Sequence, residues 1–133
     1  MPYEMRLIDA IHQAGGKMIY HNCGDAKLLL PLYAKMGIDV YESLTAAPYG
    51  DTVLSDALVQ IPLPTILSGG IDQIQFLVTA TPEQVRQRVR EVLEQVKPRR
   101  GFILAASDYF SEGTPPENLQ AFSDAAHEFG RYE

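Results

Sequence analysis

Apolar positions recur along this chain with two alternating periods. Residues 4–14 place Leu7, Ile8 and Ile11 on one helical face, and Gly15-Gly16 stops that helix. Lys17 to His21 reads as a short buried strand. Leu28, Leu29, Leu32 and Met36 follow at helical spacing and end at Gly37, and Ile38 to Ser43 is a second strand. Thr52 to Leu58 forms a third helix through Val53, Leu54, Ala57 and Leu58. Pro64 to Ser68 is the third strand, with Gly69-Gly70 as a tight turn or a point of close ligand approach. Thr81-Pro82-Glu83-Gln84 carries an N-cap Thr, a Pro at the first helical position and a capping-box Gln. Val85, Val89, Val92 and Val96 continue as a stripe that Pro98 ends. Gly101 to Ala105 is the fourth strand. Thr114-Pro115-Pro116-Glu117 repeats the capping pattern before a stripe of Leu119, Phe122, Ala126 and Phe129.

Four strands alternating with five helices predict βα units and a parallel sheet. Crossovers of this kind are right-handed. Four such units make half of a (β/α)8 barrel, and residues 1–133 read as one domain without an internal linker. A half-barrel leaves two parallel edges and a concave face without partners. The pattern therefore predicts self-association into a homo-oligomer, or a missing N-terminal half. A small doubly wound sheet is the alternative architecture.

Composition narrows the function classes. The 133 residues are 46% hydrophobic with a formal net charge of −6, and the densest basic stretch is Lys97-Pro98-Arg99-Arg100, read as a solvated loop. That excludes nucleic acid as the expected partner. No apolar run approaches a membrane span and the first residues do not resemble a signal peptide, so a cytoplasmic protein acting on a small molecule is expected. One cysteine rules out an internal disulfide framework.

In parallel α/β folds, chemistry collects at the C-terminal ends of the strands. Four polar segments take that place here: His21-Asn22-Cys23-Gly24-Asp25, Glu42-Ser43-Leu44-Thr45, Ser68-Gly69-Gly70-Ile71-Asp72 and Ala106-Ser107-Asp108-Tyr109. His21 and Cys23 are two apart, so on an extended chain both face the same way. Imidazole and thiolate are good zinc ligands, but a catalytic zinc needs a third. Asp108 is the best-placed third ligand, ahead of Glu42 and Asp72. The competing reading makes Cys23 a small buried hydrophobe and gives His21 a neighbouring loop to bond. Asp72 and Asp108 are the candidate catalytic carboxylates. Glu42, Gly69, Gly70 and Tyr109 are the candidate substrate contacts. Asp25 suits either a cap on the following helix or catalysis, and Asp51 or Thr52 is expected to cap the third helix. His12 and His127 read as surface histidines within helices.

Pro2-Tyr3 through Ile11, then Gly15-Gly16-Lys17-Met18-Ile19-Tyr20-His21-Asn22-Cys23-Gly24, resembles the uroporphyrinogen decarboxylase superfamily. Met36-Gly37-Ile38-Asp39-Val40 fits that superfamily's MGxD element. Gly69-Gly70-Ile71-Asp72, Thr81 to Arg86, Gly101 to Ala105 and Thr114 to Leu119 continue the series in order. The superfamily contains decarboxylases and cobalamin-dependent methyltransferases. The resemblance implies the C-terminal half of a TIM barrel with its site at the strand ends. For the methyltransferase branch it implies zinc held by His21, Cys23 and a later cysteine. That zinc activates a thiol to accept a methyl group from a corrinoid carried on a separate protein. Asp108 stands near where the later cysteine would fall. The decarboxylase branch acts on tetrapyrroles, and its substrate-gripping arginines and key aspartate lie in an N-terminal half that has no counterpart here. A metal-free lyase and an inactive half-barrel serving as a binding or assembly module remain the other two readings.

Overall fold

A computed structural model describes residues 2–132. Its elements run α1 (Pro2–Gln13), β1 (Ile19–His21), a 3-10 turn (Lys27–Leu29), α2 (Leu30–Met36), β2 (Val40–Ser43), α3 (Leu54–Gln60), β3 (Ile66–Ile71), α4 (Phe76–Thr79), α5 (Pro82–Val96), β4 (Phe102–Ala106) and α6 (Pro116–Phe129). The four strands form one parallel sheet in chain order. The expected α/β architecture of parallel βα repeats is present, with α4 as a short helix beyond the five expected. No helix among the described residues is long and apolar enough to cross a membrane.

Alternation along the strands decides which side chains enter the core. Tyr20, Tyr41, Leu67 and Phe102 point to the helix side and pack there with Ile8, Leu30, Tyr33, Ile38 and Ile61. A second cluster forms where Ile71 meets Leu77, Val85, Val89, Val92, Val96 and Ala125. The valine stripe of α5 is fully buried as its spacing predicts. Each such side chain contributes about 1.5–3 kcal/mol of burial free energy. The opposite face of the sheet carries Ile19 and Ile103, 61% and 48% exposed. β1 and β4 are both open edges among the described residues.

Several local expectations change. The chain enters α2 through a 3-10 turn, which shifts the helical phase by a residue. Leu30, Tyr33 and Met36 are buried, whereas Leu28 is 88% exposed. β3 does not stop at Ser68. Gly69, Gly70 and Ile71 continue the ladder opposite Leu104, Ala105 and Ala106, so Gly69-Gly70 is strand and not a turn. At Gly69, φ is +134° and an added Cβ would press on the Ser43 carbonyl, so the β2–β3 approach requires glycine there. The capping box at Thr81 and Gln84 forms as expected. Thr114 does not repeat it: its hydroxyl donates to the Ser111 carbonyl, and Pro115 is the N-cap of α6.

The N-terminal ends of the strands are tied by two charged groups. Asp39, the acid of the MGxD element, accepts from His12, Lys17 and the Met18 backbone N–H. The Met18 N–H, then Lys17 and His12, hold its carboxyl well below the usual carboxylate range. Arg99 is not a solvated loop residue. It donates to the carbonyls of Ile61, Thr65, Arg100 and Gly101, closing the gap between β3 and β4.

Candidate metal centre at the strand ends

His21 ends β1, and its register partner on β2 is Glu42. That pairing brings Nδ1 of His21 to 2.9 Å from Oε2 of Glu42. A carboxylate accepts and cannot donate, so Nδ1 carries the proton. Nε2 is then the free lone pair. It points across the mouth of the sheet to Oδ2 of Asp108 at 3.9 Å, beyond hydrogen-bond reach. Oδ1 of Asp108 accepts the Tyr109 N–H, leaving Oδ2 turned inward.

Cys23 completes the cluster. One ligand atom each from His21, Cys23 and Asp108 lie within 4.8 Å of one another. Around a tetrahedral zinc such atoms stand roughly 3.3–3.6 Å apart, given metal–ligand bonds near 2.0–2.3 Å. An ion would therefore draw the three together by up to about 1 Å, within side-chain adjustment on two strand ends. The donor set, one nitrogen, one sulfur and one oxygen, suits zinc. A carboxylate behind the imidazole is the usual support of a metal-bound histidine. The side chains of His21 and Asp108 are 40% and 37% exposed, so the centre is open on one side.

The segment between the two ligands is held firmly. Asn22 points away from the mouth, donating from Nδ2 to the Tyr33 hydroxyl at 2.7 Å, while its carbonyl accepts from Tyr41. Burial pushes the Tyr41 phenol up, so it stays a donor. Turning Asn22 outward is what turns His21 and Cys23 inward together. Gly24 follows with φ +82°, and Gly50 packs so closely on its carbonyl that a Cβ would collide with it. Asp51 then accepts the N–H groups of Ala26 and Lys27. Asp51 thus caps the turn after the motif from 24 and 25 residues away, in place of Asp25, and Val53 is the N-cap of α3, with no side-chain cap.

The other candidates fall in different places. Asp72 accepts from the N–H groups of Ile74, Gln75 and Phe76, so its carboxylate builds the turn into α4. Glu42 touches His21, not an open cavity. Gly70 lines a cavity of about 220 Å³ that also reaches Asp72, Gln73 and Arg88. Tyr109 is 80% exposed on the rim. A second cavity of about 240 Å³ borders Cys23 and Asp108. Nothing local gives Asn22 its anchoring role, which comes from the distant Tyr33 and Tyr41.

The chain is similar to several known proteins. The family profile described as "Uroporphyrinogen decarboxylase (URO-D)" matches residues 1–129. A methylated-thiol–coenzyme M methyltransferase of Methanosarcina mazei is 36% identical over 112 residues, which are 83% of this chain and 27% of that protein. A uroporphyrinogen decarboxylase of Anaeromyxobacter dehalogenans is 28% identical over 129 residues, 97% of this chain and 35% of that one. Among solved structures, a methyltransferase from Methanosarcina mazei superposes on 96% of this chain and 36% of its own, with TM-score 0.71 and 22% identity, a likeness of fold. The chain thus spans about a third of the length of the relatives it matches.

Proposed function

Because the chain belongs to the uroporphyrinogen decarboxylase (URO-D) family, with methyltransferase and decarboxylase relatives, we propose that it carries the zinc-holding part of a methyltransferase-type site. The single observation behind this reading is the convergence of His21, Cys23 and Asp108 within 4.8 Å at the strand ends. His21 would ligate through Nε2, Cys23 through Sγ and Asp108 through Oδ2. When bound, zinc stabilises a thiol substrate as its thiolate at neutral pH.

The chain's own residues prepare the rest. Glu42 fixes the tautomer of His21 by taking the Nδ1 proton. Cys23 and Asp108 each bring one negative charge, so the set balances a divalent cation. Asp108 keeps the charge a second thiolate would bring but is a harder donor. The cavity beside Cys23 and Asp108 leaves space for the acceptor thiol. Zinc so held would supply a thiolate, its proton released to solvent, as the acceptor of a methyl group that a corrinoid would donate. The corrinoid would arrive on a separate protein, and the remaining strands of the barrel would have to be supplied for turnover.

Metal analysis after zinc-replete purification tests the reading. It predicts about one zinc per chain, lost in both Cys23→Ser and Asp108→Asn. Metal-free protein after that treatment would remove the methyltransferase reading and leave a metal-free lyase acting on a tetrapyrrole or other carboxylated substrate.

A further inference from the structure

The sheet has a second face that its helices do not cover. Ile19, Val40, Ile66 and Ile103 alternate along their strands with the side chains that enter the helix-side core. None of the four belongs to either core cluster. All are β-branched and apolar, and Ile19 and Ile103, on the two outer strands, are 61% and 48% exposed. Branched apolar side chains of this kind fill the interior of eight-stranded parallel barrels.

Both edges beside this face are open as well. The Met18 carbonyl and the Asn22 N–H bond towards β2, so the backbone groups of Ile19 and His21 turn to the free side of β1. The Gly101 carbonyl and the Ser107 N–H bond towards β3, which turns those of Phe102, Leu104 and Ala106 to the free side of β4. Edges that stay single are ordinarily blunted by a lysine, a proline or an inward-pointing charge. Phe102–Ala106 carries none of these. Apolar side chains flank both edges. Tyr3 and Leu7, on the helix leading into β1, are 75% and 55% exposed, and Tyr109 and Phe110, after β4, are 80% and 48% exposed.

We propose that two copies of this chain pair edge to edge, β4 of each against β1 of the other, and so close an eight-stranded barrel. A two-fold axis along the strands keeps all eight parallel and satisfies both edges of both copies at once. A single added strand or peptide would cover one edge and leave the other. Eight strands enclose an interior that side chains just fill, and two sets of Ile19, Val40, Ile66 and Ile103 supply them. The pairing rests on the sheet and not on the zinc reading. It bears on that centre all the same. Asp108 follows the free edge of β4 and is 37% exposed, so the partner's β1 walls the open side of the centre.

Sedimentation velocity of the full chain tests the pairing, with hydrogen exchange read at β4. The expected species is a dimer, twice the 14.8 kDa of one chain, with nothing larger as concentration rises. The Phe102, Leu104 and Ala106 amides should exchange in it as slowly as amides inside the sheet. Ile19→Lys and Ile103→Lys each put two unpaired charges into the closed interior and should weaken the dimer by about 100-fold or more. Both side chains lie outside the core clusters, so the monomer should keep its circular dichroism. Should either variant fail to fold, exchange at the three amides decides alone. Leu28→Lys, at a residue 88% exposed in the turn before α2, should leave the dimer unchanged. A monomer at high micromolar concentration, the result expected where strands of a longer chain cover this face, overturns the proposal. So does a ladder of assemblies that grows with concentration, or fast exchange at the three amides within a dimer.

Discussion

Glu42→Gln separates metal positioning from fold stability. The Glu42 carboxylate lies 2.9 Å from Nδ1 of His21, and the two side chains are 37% and 40% exposed. An exposed pair of this kind contributes less than about 1 kcal/mol to folding. Its effect on a metal held through Nε2 is larger, because it sets both tautomer and ring orientation. Loss of such a partner costs roughly 10- to 100-fold in metal affinity, or about 1.4–2.7 kcal/mol. Glutamine can still accept the Nδ1 proton through its carbonyl but carries no charge, so Glu42→Gln should fall near tenfold. Glu42→Leu removes the acceptor as well and should approach 100-fold. Zinc affinity would be read by competition with a chromophoric chelator, with chemical denaturation run in parallel. Both variants should keep wild-type stability to within about 1 kcal/mol. Zinc affinities within twofold of wild type in both variants would refute the role given to Glu42. So would a loss of stability that accounts for the whole change in affinity.

Two other substitutions probe the frame that aims the site. Gly69→Ala places a Cβ against the Ser43 carbonyl and 3.3 Å from the Leu44 Cβ, at φ +134°. It should destabilise the fold by about 3 kcal/mol or more, seen as a large drop in the thermal midpoint, and unchanged melting would contradict the strand assignment. Asp39 has a depressed carboxyl pKa in the folded state, so its contribution is present above the unfolded value and is lost as pH falls through the folded one. Asp39→Asn should therefore lower stability at pH 6 and flatten its fall below about pH 4, measured by denaturation across that range.

The βα order, the α5 stripe and the ring of polar strand ends were legible because each is carried by a contiguous run of residues. Periodicity reads local structure, and local structure sets these elements. The parts that escaped are set by distant partners. Gly69-Gly70 resembles a turn in isolation and becomes strand only because β4 pairs with it. Asp25 looks like a cap, but Asp51 takes the N–H groups because Gly50 brings that loop against Gly24. The His21–Cys23 pair was readable from strand parity. The tautomer of His21 was not, since Glu42 meets it only through the β1–β2 register. Asp108 was placed by its position after β4, and its Oδ2 stands 3.9 Å from Nε2 of His21.

X-ray absorption at the zinc edge of the zinc-loaded protein tests the three-residue centre most directly. The account predicts one sulfur at about 2.3 Å and nitrogen or oxygen neighbours at about 2.0–2.2 Å, with the sulfur lost in Cys23→Ser. A shell of nitrogen and oxygen alone, or one with two sulfurs, would contradict it.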